Sequence, residues 1–381
     1  IKITILEKSS RLLSKVRVSG GGRCNVAHAC FDMDTMMKNY PRGRHFVKKA
    51  FHHFCTKDTI KWFEEKGVKL KPEDDGRMFP VTDSSQSIID CLIREANKYK
   101  VDILMNVQVE KVEKLNDQFH LWTANRQLFT ADYLCIATGG YHKSSMFKWI
   151  HELGHAIEEP VPSLFTFNLP HHPVTKLMGV SLPDVRIKIV GSKLSEQGPL
   201  LITHWGLSGP AVLRLSAWGA RELANKSYEF EIMVNWLPAY DEQALKEKFL
   251  EIRADSASQK LMNKNLFGLP QRLWEFHVQQ SGIPENLRWG DLPGKLQNKL
   301  IQNLVTGQFK VVGKTTFKEE FVTAGGIKLS EIDPNTMQSK IVPGLFFAGE
   351  VMDVDGITGG FNFQHAWTSG FIAAKSVSMI R

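Results

Sequence analysis

Apolar positions along this chain alternate between strand-like and helix-like rhythms. Residues 3–7, Ile-Thr-Ile-Leu-Glu, form an apolar run closed by an acid and predict a buried parallel strand. Residues 31–67 place Phe46, Ala50, Phe54, Ile60 and Phe63 at helical spacing. Residues 84–99 predict an amphipathic helix with Ile88, Ile89, Leu92 and Ala96 on its inner face. Short runs at 101–105, 107–115, 118–124 and 128–131 predict strands, and Gly76-Arg77-Met78-Phe79-Pro80 predicts a turn. Residues 133–140 predict a buried strand whose Thr138-Gly139-Gly140 tip lets backbone pass close to a bound molecule.

Past residue 158 the texture changes. Pro160, Pro162, Pro170, Pro173 and Pro183 break helices, and 185–190, 200–203 and 228–234 predict strands of a β-rich insert. Residues 241–306 return to helical spacing through Leu245, Phe249 and Ile252, then Leu296, Leu300 and Leu304. From Phe317 the chain comes back toward a buried strand at 345–348, then Gly349-Glu350, a glycine-rich turn and a helix over 364–380. Strand, acid, loop and helix start suit a dinucleotide lying across a strand edge. The acid accepts from hydroxyls, and the helix start offers unpaired N–H groups. A nucleotide-binding domain tolerates such long excursions from its strand ends.

Composition adds bounds. A chain of 381 residues with 43% hydrophobic and 23% charged residues is an ordinary globular protein of two or three domains. No apolar run reaches the roughly 20 residues that span a bilayer. No secretory leader is visible, and the chain opens on Ile1 rather than Met. Cys24, Cys30, Cys55, Cys91 and Cys135 are scattered, with no CxxC pair and no metal-spaced cluster, which favours free thiols in a reducing cytosol and no metal. The net charge of +8 is spread out, densest over 42–49, and reads mainly as a solvated surface rather than a nucleic-acid footprint.

Candidate chemistry follows from position. Glu7 ends a strand where an acid of a dinucleotide-binding βαβ unit meets the adenosine ribose; the preceding strand and its glycine turn are expected upstream of residue 1. Gly20-Gly21-Gly22, flanked by Arg23 and Asn25, suits a loop pressed against a flat ring or a diphosphate.

The combination resembles the YhiN/BaiN-like family of bacterial FAD-dependent oxidoreductases. Glu7, Ser-Gly-Gly-Gly-Arg-Cys-Asn at 19–25, Gly-Arg-Met-Phe-Pro at 76–80 and Ala-Thr-Gly-Gly at 137–140 carry the resemblance. So do Thr-His-Trp-Gly-Leu-Ser-Gly-Pro at 203–210, Thr-Ala-Gly-Gly at 323–326, Met-Gln-Ser-Lys at 337–340 and residues 344–362. It spans essentially the whole chain. It implies an α/β protein (α+β overall) with a Rossmann-like FAD-binding domain at 1–157 plus 336–381. That domain would be split by a β-barrel-like insert, 158–238 plus 308–335, and a small helical domain, 239–307. It also implies a cytoplasmic bacterial location and leaves Lys15 as the one match to a phosphate-contacting triplet after the first acid.

On that footing Glu350 holds the ribityl hydroxyls, Glu7 the ribose, and Val109 or a neighbouring strand residue offers backbone to adenine. Thr138, Gly139, Gly140 and Gly349 pass close to the cofactor. Gly359, Gly360 and Phe361 point N–H groups at the flavin carbonyl, with Asn362 a further donor. Cys24 is expected as a packed thiol beside the flavin. His204 is the candidate proton donor and Arg77 the candidate anion or substrate clamp. No second complete nucleotide-binding unit is visible, so NADH or NADPH would dock transiently. The leading expectation is reduction of an activated C=C in a small apolar molecule. An FAD-dependent enzyme acting on RNA and a non-catalytic flavin sensor are the other readings. Nothing in the residues sets the oligomeric state.

Overall fold

The computed structural model describes residues 1–315 and 322–380. Phe317, where the chain is expected to return, lies outside them. The chain divides into two compact units, 1–163 with 317–381, and 164–316.

The first unit is built on parallel strand pairs. Thr4–Glu7 runs beside Asp102–Met105, with Thr4 opposite Asp102 and Glu7 opposite Met105. Leu345–Phe347 runs beside Leu134–Ile136, which brings the Gly349-Glu350 turn level with the Thr138-Gly139-Gly140 tip. Both tips are strand ends of the kind where α/β sheets place ligands. Three antiparallel strands, Val109–Leu115, Gln118–Thr123 and Leu128–Ala131, follow in a meander, as their alternation predicts. The long helical stretch at 31–67 is three helices, Met33–Met37, Arg44–Phe51 and Thr56–Glu65. Pro41 and the left-handed Gly43 (φ 76°) separate the first two. The expected turn at 76–80 is instead a strand, Arg77–Pro80, paired with Ala27–His28 and Leu70–Pro72. Its Phe79 side chain is fully buried, so packing decides against the turn signal of Gly76.

The C-terminal helix starts three residues earlier than its pattern suggests and spans Phe361–Met379. Ser84 caps the helix Ser85–Lys98 by accepting from the Gln86 amide. Ile157–Ser163 pairs antiparallel with Val322–Ile327.

The second unit is one seven-stranded antiparallel sheet with helices. Its order is Gly307–Val312, Glu229–Asn235, Ser181–Ile189, Ser195–Ile202, Gly206–Ser208, Thr166–Asn168 and Lys314–Thr315. The two edge strands are consecutive in the chain, separated only by Gly313. The Gly313 amide donates to Tyr228 O (2.9 Å) and its carbonyl accepts from the Asn168 amide (3.2 Å). The sheet therefore curls until its edges meet there. Val185, Ile187 and Ile189 point inward while Arg186 and Lys188 face out, the period of two that a half-buried strand requires. Helices Glu242–Ser256, Gln271–Gln280 and Gly294–Val305 share this core through Leu245, Phe249, Trp274 and Leu300. No helix among the described residues is long and apolar enough to cross a membrane.

Candidate functional site

Three places carry the candidate chemistry, and at the first two the chain's two ends meet. The first is Glu350, in the turn after the strand Leu345–Phe347. One carboxylate oxygen accepts from the Thr323 amide (2.9 Å), and the other is paired with Lys15 Nζ. The carboxylate is largely covered and Lys15 is half exposed. Gly139 and Gly140 lie against this pair. A Cβ on Gly140 would stand 2.8 Å from Thr323 Oγ1 and 3.0 Å from the Glu350 carboxyl carbon. Thr323 Oγ1 is buried with no hydrogen-bond partner among the described residues. An acid, an orphaned hydroxyl and a backbone without side chains thus converge on one spot, a cradle suited to a hydroxyl chain. The Gly349 amide is fixed by Ser369 Oγ (2.9 Å) on the C-terminal helix.

The second place is the start of that helix. Gly359 and Gly360 hold φ values of 128° and 94°. A Cβ on Gly360 would sit 2.4 Å from Ala27 O, so only glycine fits. With its side-chain amide turned so that the oxygen faces the helix start, Asn25 accepts from the Gly360 amide (3.0 Å) and donates to Ala27 O (2.9 Å). His28 Nδ1 donates to Gly359 O (3.0 Å), and its ring stacks on Phe361 at 4.6 Å. Tyr40, fully buried, donates its hydroxyl to Phe361 O (2.8 Å). Asn362 closes the loop on itself, accepting from the Gly356 amide (2.8 Å) and donating to Gly356 O (2.9 Å). Arg42 grips the buried Asp355 through two nitrogens, with Ser163 donating to the same carboxylate (2.9 Å). Burial pushes the Asp355 carboxyl up, while Arg42 and the hydroxyl pull it down. Among the described residues no protein acceptor meets the amides of Phe361, Asn362 and Phe363, the orphan donors of a helix N-terminus.

The third place is the glycine loop. The helix Ser14–Gly22 carries Lys15 at one end and loses helical geometry at Ser19, Gly20 and Gly21. Gly20 is pressed on Phe79, 2.7 Å from where a Cβ would stand, while Gly21 and Gly22 meet nothing within 4 Å. Their left-handed backbone faces open space, as a surface for a flat ligand requires. Arg23 stacks over Phe79 at 3.9 Å and pairs with Glu73 (2.5 Å). Arg77 pairs with Asp75 (2.7 Å) and Glu73 (2.9 Å), so two carboxylates already answer its charge. Cys24 is fully buried with a left-handed φ of 64°. Burial pushes its thiol up to about 12, which leaves it protonated and unreactive near neutrality.

The remaining candidates stand apart. Glu7 accepts from the Ser9 amide (2.7 Å) and so closes the turn after its own strand. Val109 opens the meander opposite Thr123. Thr138 is exposed on its tip. His204 belongs to the second unit, exposed on a tight turn. Thr203 N donates to Gly206 O (2.8 Å), and Gly206 N to Thr203 Oγ1 (3.1 Å). The edge of the His204 ring packs on Trp205 at 4.4 Å, and Trp205 is anchored to Thr166 (2.9 Å). A rigid hairpin thus presents this imidazole to solvent.

Sequence reasoning missed His28, Tyr40, Arg42, Asp355 and Thr323. Thr323 and Asp355 lie within motifs named above, and His28 falls three residues past another, but nothing local marks their partners. His365, also missed, is 2% exposed, and burial lowers its pKa to about 4.

The family description "HI0933-like protein Rossmann domain" matches residues 1–376. The chain is 32% identical over 388 residues to the ribosomal RNA dihydrouridine synthase of Escherichia coli, covering 99% of this chain and 92% of that one. It is 26% identical over 386 residues to the 3-dehydro-bile acid delta(4,6)-reductase of Clostridium scindens, covering 99% and 93%. Among solved structures, the 3-ketosteroid-delta4-(5alpha)-dehydrogenase of Rhodococcus jostii RHA1 aligns over 97% of this chain and 91% of its own, at 11% identity and a TM-score of 0.48. The protein belongs to the HI0933-like Rossmann family and is an FAD-dependent oxidoreductase.

Proposed function

We propose that the protein reduces a carbonyl-conjugated C=C bond, and that its substrate is a uracil base in ribosomal RNA. The observation that carries this reading is the 32% identity, over nearly the full length of both chains, to a ribosomal RNA dihydrouridine synthase. A net charge of +8 suits a polyanionic substrate. In this reading RNA stands ahead of the small apolar acceptor expected from the sequence. That acceptor stays as the second reading, favoured by the similarity to a bile acid reductase. The two relatives' names share one chemistry: uracil C5=C6 is conjugated to the C4 carbonyl, and a delta(4,6) diene to the 3-keto group. Either reduction adds a hydride to the carbon of the reduced bond remote from the carbonyl, which is C6 in uracil, and a proton to the nearer one, while NADH or NADPH becomes NAD(P)+.

FAD supplies the hydride when bound and reduced by nicotinamide. The chain's own groups do the rest. Glu350 and the unpartnered Thr323 Oγ1 would hold the ribityl hydroxyls. Lys15 and the open backbone of Gly21 and Gly22 would hold the diphosphate. The amides of Phe361, Asn362 and Phe363 would donate to the ring carbonyl where negative charge gathers, and His28, Asn25 and Tyr40 hold the helix start in place. The bacterial cytoplasm, where ribosomal RNA resides, is the place of action.

The test starts with anaerobic reduction of the FAD-loaded protein by NADH or NADPH, followed by unmodified ribosomal RNA. Return of the flavin band together with dihydrouridine in the digested RNA supports the reading. Reoxidation by a 3-keto-4-ene steroid and not by RNA would sink it in favour of the second.

A further inference from the structure

The surface beside the flavin loop has a composition that the site does not use. Between Asp34 and Asp58 the chain carries no acid, while Lys38, Arg42, Arg44, Lys48, Lys49 and Lys57 are basic. The helix Arg44–Phe51 buries Phe46, Val47 and Ala50, so its cations stand on the outer face. Arg44, His45, Lys49, His52 and Lys57 are exposed. The flanking acids are engaged locally. Asp34 takes Lys48 (2.7 Å), Asp32 caps the helix Met33–Met37 by accepting from Thr35 N (2.8 Å), and Asp58 accepts from Cys55 N (2.8 Å). Among the described residues Arg44, Lys49 and Lys57 make no ion pair.

Two further observations make this more than a solvated face. Phe31 is 55% exposed with Lys57 Nζ 5.9 Å over its ring, so an aromatic platform stands at the rim of the cationic face. Phe31 borders the same small cavity as Met36 and Phe51, which ties it to this helix. The patch is also anchored to the flavin loop. Tyr40 holds Phe361 and Arg42 holds Asp355, only two residues before Arg44. An exposed ring beside unpaired cations is the arrangement that stacks an unpaired base while neutralising its phosphates.

We propose that the outer face of the helix Arg44–Phe51, with Lys57 and Phe31, is the docking surface for the RNA. Arg44, Lys49 and Lys57 contact phosphates, and Phe31 stacks a splayed base next to the one that is reduced. The inference rests on the RNA reading above and goes further by assigning the surface.

The experiment uses full-length FAD-loaded protein and a labelled uridine-rich hairpin RNA, titrated over a range of salt. The triple replacement Arg44→Ala, Lys49→Ala, Lys57→Ala is expected to bind at least about 10-fold more weakly at low salt. Its plot of log affinity against log salt should be shallower by about 2. Phe31→Ala is expected to weaken binding at least about 5-fold and leave that slope unchanged, because stacking displaces no counterions. Flavin absorbance and bleaching by NAD(P)H should be unaltered in both. If the triple replacement loses flavin, Lys49→Gln and Lys57→Gln alone carry the test, each lowering the slope by about 0.7. Wild-type affinity and slope in these variants would overturn the surface while leaving the RNA reading intact. A wild-type protein that neither binds the hairpin nor forms dihydrouridine would overturn both.

Discussion

Glu350 shows how much one side chain is asked to do. Its carboxylate meets the Thr323 amide and the Lys15 ammonium and faces two glycines that leave room beside it. Hydrogen bonds to a charged group contribute about 1.5–3 kcal/mol each, so losing one weakens a ligand by roughly 10- to 150-fold. Glu350→Ala is expected to purify with most of its FAD missing, read from the ratio of flavin to protein absorbance. Glu350→Gln still accepts from Thr323 and is expected to retain more. Equal flavin content in all three proteins would remove Glu350 from the site. The residue's place after a buried strand was readable in the sequence. Its partners were not, because Lys15 lies 335 positions away and only the fold brings the two together. Asn25 and Gly360 make the same point, as a loop asparagine and a helix-cap glycine that carry no local sign of each other.

At the scale of elements, the glycine-bounded helix start is the part most tightly specified. Gly360→Ala would drive a methyl group into Ala27 O and strain a backbone at φ 94°, whereas Gly21→Ala meets open space at φ 69°. The left-handed penalty alone is about 1–2 kcal/mol. Gly21→Ala is expected to cost about that much in thermal unfolding. Gly360→Ala should exceed it and lose flavin as well, because the N–H groups of Phe361 and Asn362 shift with it. Matching losses in the two variants would show that the close approach to Ala27 is unimportant. Elements with a clean period, such as the helix Ser85–Lys98 and the meander at 109–131, were legible within a residue or two. The failures were elements defined by distant pairing. Arg77–Pro80 is a strand only because Ala27–His28 and Leu70–Pro72 flank it. The Gly76 turn signal was real, but it ends where the strand begins.

For the molecule as a whole, acid lability is built into both units. His277 in the second unit and His365 in the first are each 2% exposed, and burial lowers their pKa values to about 3 and about 4. An unfolded histidine titrates near 6.5, so below that pH the unfolded chain binds protons that these folded sites refuse. The stabilisation they contribute is fully present above pH 6.5 and drains away as pH falls toward the folded values. Linkage limits the slope to about 1.4 kcal/mol per pH unit for each histidine, or roughly 2 kcal/mol each between pH 7 and 5. His277→Phe and His365→Phe keep an apolar ring in place and remove the titration. Each is expected to flatten the fall of unfolding temperature between pH 7 and 5, whatever its effect at pH 7. The two effects should add, since the groups sit in separate cores. A pH profile in the double variant parallel to that of the wild type would assign the acid sensitivity to the surface carboxylates instead. It would also mean that these two rings reach solvent more readily than their burial implies.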